Sequence, residues 1–269
     1  MQIITTNNLK NKLIEQLKNN IDKCGQDRLL IVSNENNNEI AQYKKVIKNR
    51  CKEFNIEVLD RVFGNDNYNT KLNLESFFNY ELYNGFVILQ PFETEDLNYL
   101  RENIKVNNYY RDLDGFTFKS LGKVMNGSFK HLPATAKAII LTLEDMQIDV
   151  DGKNIIIANS TNVIGKPLSM YLNYEKATVT LLNSKTKNSK ELIKNCDIFI
   201  SGIGKPNFYN NEYFKDGQII IDAGTSYIDN KLVGDIDYNS LNDLDTKVVT
   251  CKQGIGAITT LCLLHGFID

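Results

Sequence analysis

The sequence predicts an α/β protein of two lobes, the second of which is built on a doubly wound parallel sheet. Short β-branched runs alternate with amphipathic helical segments along most of the 269 residues. This alternation is typical of parallel sheets with helices on both faces. In the second half, the predicted strands also end in polar or glycine-rich turns, which is typical of a ligand-binding edge.

The first half alternates helical and strand-like segments. Apolar residues recur at helical spacing and predict a helix over Asn7–Asn20. A continuous apolar run, GFVILQ, is typical of a strand covered on both faces. The same patterns predict strands at Arg28–Ser33, Ile56–Val62 and Gly85–Gln90, helices at Ile40–Phe54, Asn73–Tyr80 and Glu95–Ile104, and a loop leading into a short helix at Arg111–Phe118.

The second half repeats the alternation with shorter strands. A helix capped by Thr135 is expected to run to about Met146. Strands are predicted at Asn154–Ala158, Thr178–Leu182, Asp197–Ser201, Gln218–Asp222 and Lys247–Thr250. We place a first domain at 1–134, a bridging helix at 135–150 and a second domain at 151–256, with a helix near 257–269 packing back on the first domain.

Composition argues against several classes of function. The chain has 31 basic and 33 acidic residues, so charge gives no reason to expect nucleic acid or an anionic membrane as partner. No apolar run approaches the ~18 residues of a membrane span, and the N-terminus resembles no signal or transit peptide. The five cysteines form no CxxC pair, so neither disulfides nor a metal site is predicted. We therefore expect a cytoplasmic protein with buried thiols at Cys51, Cys196 and Cys262.

The chain is poor in the usual acid–base catalyst. It has only two histidines, and His265 is predicted to lie at a helix end and His131 in a connection. Histidine is the side chain most often recruited for proton transfer near neutral pH. Any chemistry is therefore expected to rest on tyrosine, lysine, carboxylates or a cofactor.

The turn after the first strand of the second lobe predicts a phosphate-binding site. Asn159, Ser160 and Thr161 separate this strand from a helix expected to begin near Ile164 and Gly165. We expect free backbone N–H groups at this helix start, which together with the helix dipole attract phosphate. The turn lacks G-x-G-x-x-G, however, and many α/β proteins have a polar turn here with no ligand.

Three further strands of this lobe end in similar turns. Ser184, Gly202, Gly204 and Thr225 lie in these turns and join the residues above as predicted cofactor contacts. The glycines could serve only to close tight turns. Four such turns at one edge favour a dinucleotide site over that simpler interpretation.

Eight segments together resemble one enzyme family. They are YKKVIKNRCKEFNI, NGFVILQPF, RDLDGF and LPATAKAIILTLE in the first half, and GKNIIIANSTNVIGKPLSMYL, ATVTLLNSKT, IIIDAGTSY and LVGDIDY in the second. Their order and spacing resemble the methylenetetrahydrofolate dehydrogenase/methenyltetrahydrofolate cyclohydrolase (FolD-type) family, of which the chain looks like a divergent member. The resemblance extends over essentially the whole chain.

The resemblance implies a folate-type α/β domain followed by a Rossmann-like domain that binds NADP or NAD. It implies an oxidoreductase and hydrolase of one-carbon metabolism, which moves a hydride from 5,10-methylenetetrahydrofolate to the dinucleotide and hydrolyses the methenyl product. The partner it implies is a small-molecule folate. Because family members are commonly homodimers, a homodimer is also expected.

The resemblance also assigns roles to residues of the first half and to one late glycine. It makes Tyr43 and Asp114 the catalytic residues, with the tyrosine over the folate ring system and the aspartate holding the pterin. Gln90, Pro91 and Gly256 join them as substrate-binding residues. Without the resemblance, Tyr43 would be interpreted as an aromatic on the core face of a helix and Asp114 as a carboxylate that caps a turn.

The chain departs from the family where the family's hydrolysis is performed. The catalytic lysine, four residues after the tyrosine, falls at Ile47, and the glutamine falls at Leu89. Lys45 and Lys48 are turned away from that helical face by roughly 100° per residue step. Gln90 is one place further along the strand and would point to the opposite face. We therefore expect the cyclohydrolase activity to be absent or severely weakened.

Other departures leave alternatives open. The arginine that some members use for the 2′-phosphate falls at Ser160, whereas Ser184 and Lys185 could still hold that phosphate, so NAD and NADP both remain possible. The late P-V-P-G-G-V-G-P loop appears as a shorter segment, Cys251–Ala257. One alternative is a catalytically degenerate or repurposed folate- or nucleotide-binding homologue. A dehydrogenase unrelated to folate is disfavoured by the scarcity of histidine.

Overall fold

The computed structural model describes residues 1–21, 27–34, 38–63, 78, 82–89, 94–106, 111–229 and 231–268. The chain divides into two compact units. The six-stranded unit contains Met1–Leu13 and Ala134–Cys262, and the four-stranded unit contains Ile14–Pro133 and Leu263–Asp269. Both are built on parallel sheets, so the predicted α/β class is confirmed.

Most of the described strands and helices lie where the sequence patterns predicted them. The strands are β1 (Gln2–Ile4), β2 (Arg28–Asn34), β3 (Glu57–Phe63), β4 (Gly85–Leu89), β5 (Arg111–Asp112), β6 (Asn154–Ala158), β7 (Thr178–Leu181), β8 (Ile198–Ser201), β9 (Ile219–Asp222), β10 (Ser226–Ile228), β11 (Lys231–Val233) and β12 (Lys247–Val249). The helices are α1 (Asn7–Asn20), α2 (Asn38–Glu53), α3 (Thr94–Asn103), α4 (Phe118–Met125), α5 (Ala134–Asp145), α6 (Gly165–Tyr174), α7 (Ser189–Lys194) and α8 (Gly256–His265).

The four-stranded unit contains a parallel sheet with the strand order β3-β2-β4-β5. Successive side chains of a strand point to opposite faces of the sheet, so alternate residues of each strand lie on the same face. Val32 and Ile88 join one core cluster, which also contains Leu100 of α3. Ser33 and Leu89, which are paired in register, point to the opposite face. Burial on both sides accounts for the continuous apolar run of β4.

The six-stranded unit contains a parallel sheet with the order β1-β12-β9-β8-β6-β7. The strand β6 pairs with β7 on one side and β8 on the other, so the direction of winding reverses between β6 and β8. Ligands of open α/β sheets bind outside the carboxyl ends of the strands at such a switch point. Buried residues of neighbouring strands, including Ile156, Phe199 and Ile220, form the core beneath this edge.

Two features of the six-stranded unit were not predicted. The strand β1 pairs with β12, so the first thirteen residues lie in this unit rather than within the predicted domain 1–134. The Thr6 hydroxyl secures this segment by donating to the Gly254 carbonyl at 2.9 Å, 248 positions further along the chain. The strands β10 and β11 form an antiparallel hairpin. Local periodicity carries little information about pairs of three-residue strands.

Two local predictions were wrong. Helix α5 begins at Ala134, so Thr135 lies inside its first turn and is not its N-cap. Arg111 and Asp112, predicted as a loop, form the short strand β5 beside Gly85 and Phe86. The predicted helix Asn73–Tyr80 falls outside the described residues except for Phe78, which is helical.

Thr6→Val tests the attachment of the N-terminal strand. The substitution keeps the shape of a buried side chain but removes its hydroxyl donor, and we expect a loss of about 1–2 kcal/mol in the free energy of unfolding. Urea unfolding measures this loss. Thr178→Val, at an exposed position of β7, is the matched control and should change the free energy by less than about 0.5 kcal/mol. Equal effects of the two substitutions would contradict the attachment.

Candidate functional site

The candidate site lies at the carboxyl edge of the six-stranded sheet. Ala158 and Ser201 end the adjacent strands β6 and β8 and are paired in register. The residues that follow them are bonded to each other, because Asn159 Nδ2 donates to the Gly202 carbonyl at 2.6 Å. The structure therefore brings two predicted cofactor residues together at the switch point.

The Asn159 side chain organises the turn between β6 and α6. Its Oδ1 accepts the Thr161 amide at 2.9 Å, the Thr161 hydroxyl at 2.8 Å and the Gly165 amide at 2.9 Å. The residue is 8% exposed, so these bonds are largely shielded from water. The side-chain amide of Asn159 thus stabilises a turn that, in a G-x-G-x-x-G loop, is formed by glycines.

Two glycines allow close packing around this turn. A Cβ at Gly165 would overlap the Asn159 carbonyl, so the start of α6 can approach the strand end only without a side chain. A Cβ at Gly202 would lie 3.1 Å from Ile164 Cδ1. Close backbone approach therefore explains the glycine at position 165, whereas at position 202 the nearest atom is the end of the flexible Ile164 side chain.

The expectation of unengaged amides at the start of α6 was wrong. Gly165 donates to Asn159, Ile164 donates to the Thr161 hydroxyl at 3.3 Å, and Lys166 donates to the Thr161 carbonyl at 3.0 Å. Pro167, the next residue, has no N–H. Side chains of Asn and Thr compete for backbone donors at helix starts. The dipole of α6 still favours an anion here, but these amides already have partners.

The other predicted cofactor residues lie at the same edge. Ser184 is exposed in the turn after β7, which Asn183 stabilises by accepting the Lys185 amide at 2.9 Å. Gly204, in the loop after β8, has a φ of 65°, in the left-handed region that favours glycine. Its Cβ position lies 4.0 Å from the carbonyl of Thr225, so the loops after β8 and β9 are adjacent.

A buried carboxylate that sequence reasoning did not single out holds the loop after β8. Asp235 is fully buried. Its Oδ2 accepts the Ser201 hydroxyl at 2.6 Å and the Ile203 amide at 2.7 Å, and its Oδ1 accepts the Lys205 amide at 2.8 Å. The only sequence signal for this role was the G-D pair within LVGDIDY.

A second buried carboxylate lies beside the first. Asp222, at the end of β9, accepts the Gly224, Asp235 and Ile236 amides at 3.0–3.1 Å and the Tyr238 hydroxyl at 2.6 Å. Burial raises the pKa of Asp222 to about 6; the Tyr238 and backbone hydrogen bonds oppose this rise, and the nearby Asp235 charge adds to it.

The four-stranded unit presents Asp114 in a loop that other residues hold in place. Asp112 is buried and accepts the Phe116 amide at 2.9 Å and the Thr117 amide and hydroxyl at 2.8 Å each. Gly115 has a φ of 59°, and a Cβ there would lie 2.8 Å from the His131 carbonyl. Asp114 itself is partly exposed, and its role in substrate binding stays a prediction.

The positions where the resemblance expects lysine and glutamine are buried and apolar. Ile47, on α2, is 0% exposed, and Leu89 is 5% exposed. Leu89 keeps regular register with Ser33, so β4 has no bulge up to this residue. The predicted substrate residues Gln90 and Pro91 lie outside the described residues.

Helix α2 brings two lysines to this sheet. The Lys48 ammonium donates to Asp60 Oδ2, and Lys44, which sequence reasoning missed, reaches the same carboxylate. The Lys44 ammonium donates to Ser33 Oγ at 3.0 Å and to Asp60 Oδ1 at 3.2 Å. Its neighbour Tyr43 is partly exposed on the same helix, and Lys45 is exposed. Lys44 lies three residues before Ile47, and residues three apart share one side of a helix.

Gly256, the last predicted substrate residue, lies in the six-stranded unit. It is exposed and begins α8, and a Cβ there would lie 2.6 Å from the Cys251 carbonyl. The preceding segment Cys251–Ile255 has a kink at Gly254, whose φ of −107° and ψ of −108° are not helical. The role of Gly256 in substrate binding stays a prediction.

The described residues also bear on the remaining predictions. The thiols of Cys51 and Cys196 are buried, as predicted, and burial raises the pKa of each to about 12. Within the described ranges, no three histidine, cysteine or carboxylate side chains are grouped to hold a metal ion. No helix in those ranges has the length and apolar character needed to cross a membrane.

The sheet order and the four polar turns at its switch point define a Rossmann-like dinucleotide-binding protein. Comparison with known proteins narrows this class. Residues 133–269 match the family model for "Tetrahydrofolate dehydrogenase/cyclohydrolase, NAD(P)-binding domain". The chain belongs to the tetrahydrofolate dehydrogenase/cyclohydrolase family.

Individual relatives agree with this assignment. "Bifunctional protein FolD" of Clostridium novyi (strain NT) is 38% identical over 159 residues, which are 59% of this chain and 57% of that relative's length. The protein of the same name from Clostridium perfringens (strain SM101 / Type A) is 34% identical over 199 residues, 73% of this chain and 70% of the relative. The bifunctional FolD structure from Campylobacter jejuni has the same fold, with a TM-score of 0.87 at 24% identity over 100% of this chain and 97% of that one.

The raised pKa of Asp222 predicts a pH-dependent stability term. Between pH ~4, near the pKa of an unfolded aspartate, and pH 6, the folded protein keeps a proton that the unfolded chain has lost. The contribution of Asp222 to stability therefore falls as the pH rises through this window. The stability of the wild type relative to Asp222→Asn should fall by about 2 kcal/mol from pH ~4 to pH ~7.

Urea unfolding at a series of pH values measures this difference. Asp216→Asn, which changes an exposed turn aspartate that accepts one backbone amide, is the control for the background pH dependence. A difference between the wild type and Asp222→Asn that stays constant with pH would contradict the raised pKa.

Proposed function

We propose that this chain is an NAD(P)-dependent methylenetetrahydrofolate dehydrogenase. The observation that carries the proposal is the turn Asn159–Gly165, held at the switch point of a domain that matches the family's NAD(P)-binding domain. The partly exposed Asp114 in its D-x-D-G-F loop supports a folate as the second ligand, because the family resemblance gives this aspartate the pterin.

The residues at the carboxyl edge fit a dinucleotide. Gly165 lets the start of α6 approach the end of β6, because a Cβ there would overlap the Asn159 carbonyl. The hydroxyl-bearing residues Ser160, Ser184 and Thr225 are exposed along the edge and supply hydrogen-bonding groups for phosphate and ribose. A bound NAD(P) would supply the hydride acceptor. The protein's part is to bind and orient the reactants and to provide charge at fixed positions.

We further infer that hydrolysis of the methenyl product is absent or severely weakened. That step needs a group to activate water and manage protons. At the two positions where the resemblance expects such groups, Ile47 and Leu89 present hydrocarbon side chains in the core. The Lys44 ammonium is bonded to Ser33 and Asp60. Lys44 also lies three residues before Ile47, the position at which the resemblance expects the lysine.

The remaining features stay predictions of the sequence and the resemblance. They are a cytoplasmic location, a homodimer and the substrate contacts of Tyr43, Gln90, Pro91 and Gly256. The choice between NADP and NAD also stays open, because Ser160 takes the place of an arginine while Lys185 is exposed near the end of β7.

Assays of the purified protein test both parts of the proposal. We expect reduction of NADP or NAD that depends on 5,10-methylenetetrahydrofolate, and hydrolysis of 5,10-methenyltetrahydrofolate at well below the rate of the Clostridium perfringens relative measured in parallel. No reduction of either dinucleotide would favour the degenerate or repurposed homologue. Hydrolysis as fast as that of the relative would contradict the inference from Ile47 and Leu89.

Asp114→Asn tests the folate contact. The substitution removes a charge from a partly exposed loop residue, so we expect kcat/KM for the folate to fall by about tenfold or more with little change in Tm. Asp112→Asn, two residues earlier, is the comparison. Because Asp112 is buried with three hydrogen bonds, that variant should lose about 2 kcal/mol of stability or more. Unchanged folate kinetics in Asp114→Asn would contradict the assigned role.

A further inference from the structure

We propose that Asp235 is a positioning residue for dinucleotide binding, whose carboxylate holds the loop Ser201–Lys205 in the shape that receives the cofactor. The inference rests on the proposed dinucleotide function and deepens it. Asp235 lies near the start of the segment after β11. It accepts the Ile203 amide, whereas Asn159 donates to the Gly202 carbonyl of the same peptide group, so the two side chains lie on opposite sides of the loop.

The hydrogen bonds of Asp235 are spread along the whole loop. They reach Ser201, Ile203 and Lys205, which are every second residue of the segment that carries Gly202 and Gly204. At 2.6–2.8 Å they are short, as expected for bonds to an ionised acceptor. The carbonyl of Gly202, between two of these contacts, accepts from Asn159. The loop is therefore held from two sides, by Asp235 and by the turn after β6.

The chemistry of Asp235 favours this role over simple packing. A fully buried carboxylate is costly unless hydrogen bonds compensate for its lost hydration, and the three partners of Asp235 are two amides and a hydroxyl. An asparagine here would keep one oxygen acceptor and turn an NH₂ group toward remaining donors. Only the carboxylate can accept from all three groups at once.

A second carboxylate holds Asp235 itself in place. Asp222 accepts the amide of Asp235, and it also accepts the hydroxyl of Tyr238, which in turn accepts the amide of Cys251 at 3.1 Å. The carboxylate of Asp235 fills the space that a side chain at Gly224 would need. The anchor of the loop is therefore rigid, and it is continuous with the segments that follow β9 and β12.

Three variants test the proposal. Asp235→Asn removes part of the loop contacts, and Ser201→Ala removes only the hydroxyl contact and keeps the carboxylate. Asp216→Asn is the matched control. Asp216 lies in the turn before β9, at the amino edge of the same sheet, and its carboxylate accepts the backbone amide of Asp245. Calorimetric titration gives the Kd for NADP and for NAD, and hydrogen exchange reports on the Ile203 and Lys205 amides.

We expect Asp235→Asn to raise the dinucleotide Kd about tenfold or more, and Ser201→Ala to raise it about threefold. Asp216→Asn should leave it within about twofold. In steady-state assays the change should fall on KM for the dinucleotide and not on KM for the folate, a selectivity that a general loss of stability would not produce. The Ile203 and Lys205 amides should exchange faster in Asp235→Asn without dinucleotide.

The outcomes separate this proposal from the proposed function. Failure of the wild type to bind either dinucleotide would overturn the proposed function and this inference with it. Wild-type binding together with unchanged affinity in Asp235→Asn would overturn the positioning role alone, whatever its effect on Tm. Should Asp235→Asn fail to fold, an unchanged Kd in Ser201→Ala would overturn the role.

Discussion

The hydrogen bonds of the Asn159 side chain determine how the six-stranded unit presents its edge. One carboxamide accepts three donors from the turn and the start of α6, and its nitrogen donates across to the loop after β8. The close approach it enforces requires glycine at position 165. With that turn in place, the ends of β6 and β8 form one surface, and the polar residues after β7 and β9 extend it.

Much of this architecture could be predicted from the sequence, because hydrophobic periodicity is a local signal. Helix α1 and strand β6 have their predicted bounds, and α6 begins where its turn indicated. The pairing of β1 with β12 joins the two ends of the chain, so no window of the sequence contains it. Thr135 satisfied the composition of an N-cap, but the helix begins one residue earlier.

The sequence predicted where the candidate site lies, but it did not predict most of the hydrogen bonds within the site. The strand ends located Asn159, Gly202 and Thr225 at one edge, since parallel strands share an edge. The roles of Asp222 and Asp235 depend on backbone partners brought together by the fold, and spacing along the chain does not reveal such partners. The amides at the start of α6 were expected to face a ligand, yet neighbouring side chains already engage them.

The two buried carboxylates and two glycines also constrain how this sequence can change. A side chain at Gly224 would overlap the carboxylate of Asp235, and one at Gly234 would overlap that of Asp222. Each aspartate thus occupies the volume that its opposite glycine leaves empty, in a reciprocal arrangement. A side chain at either glycine would therefore meet the carboxylate opposite it, and such a change would fit only together with a smaller residue in place of that aspartate.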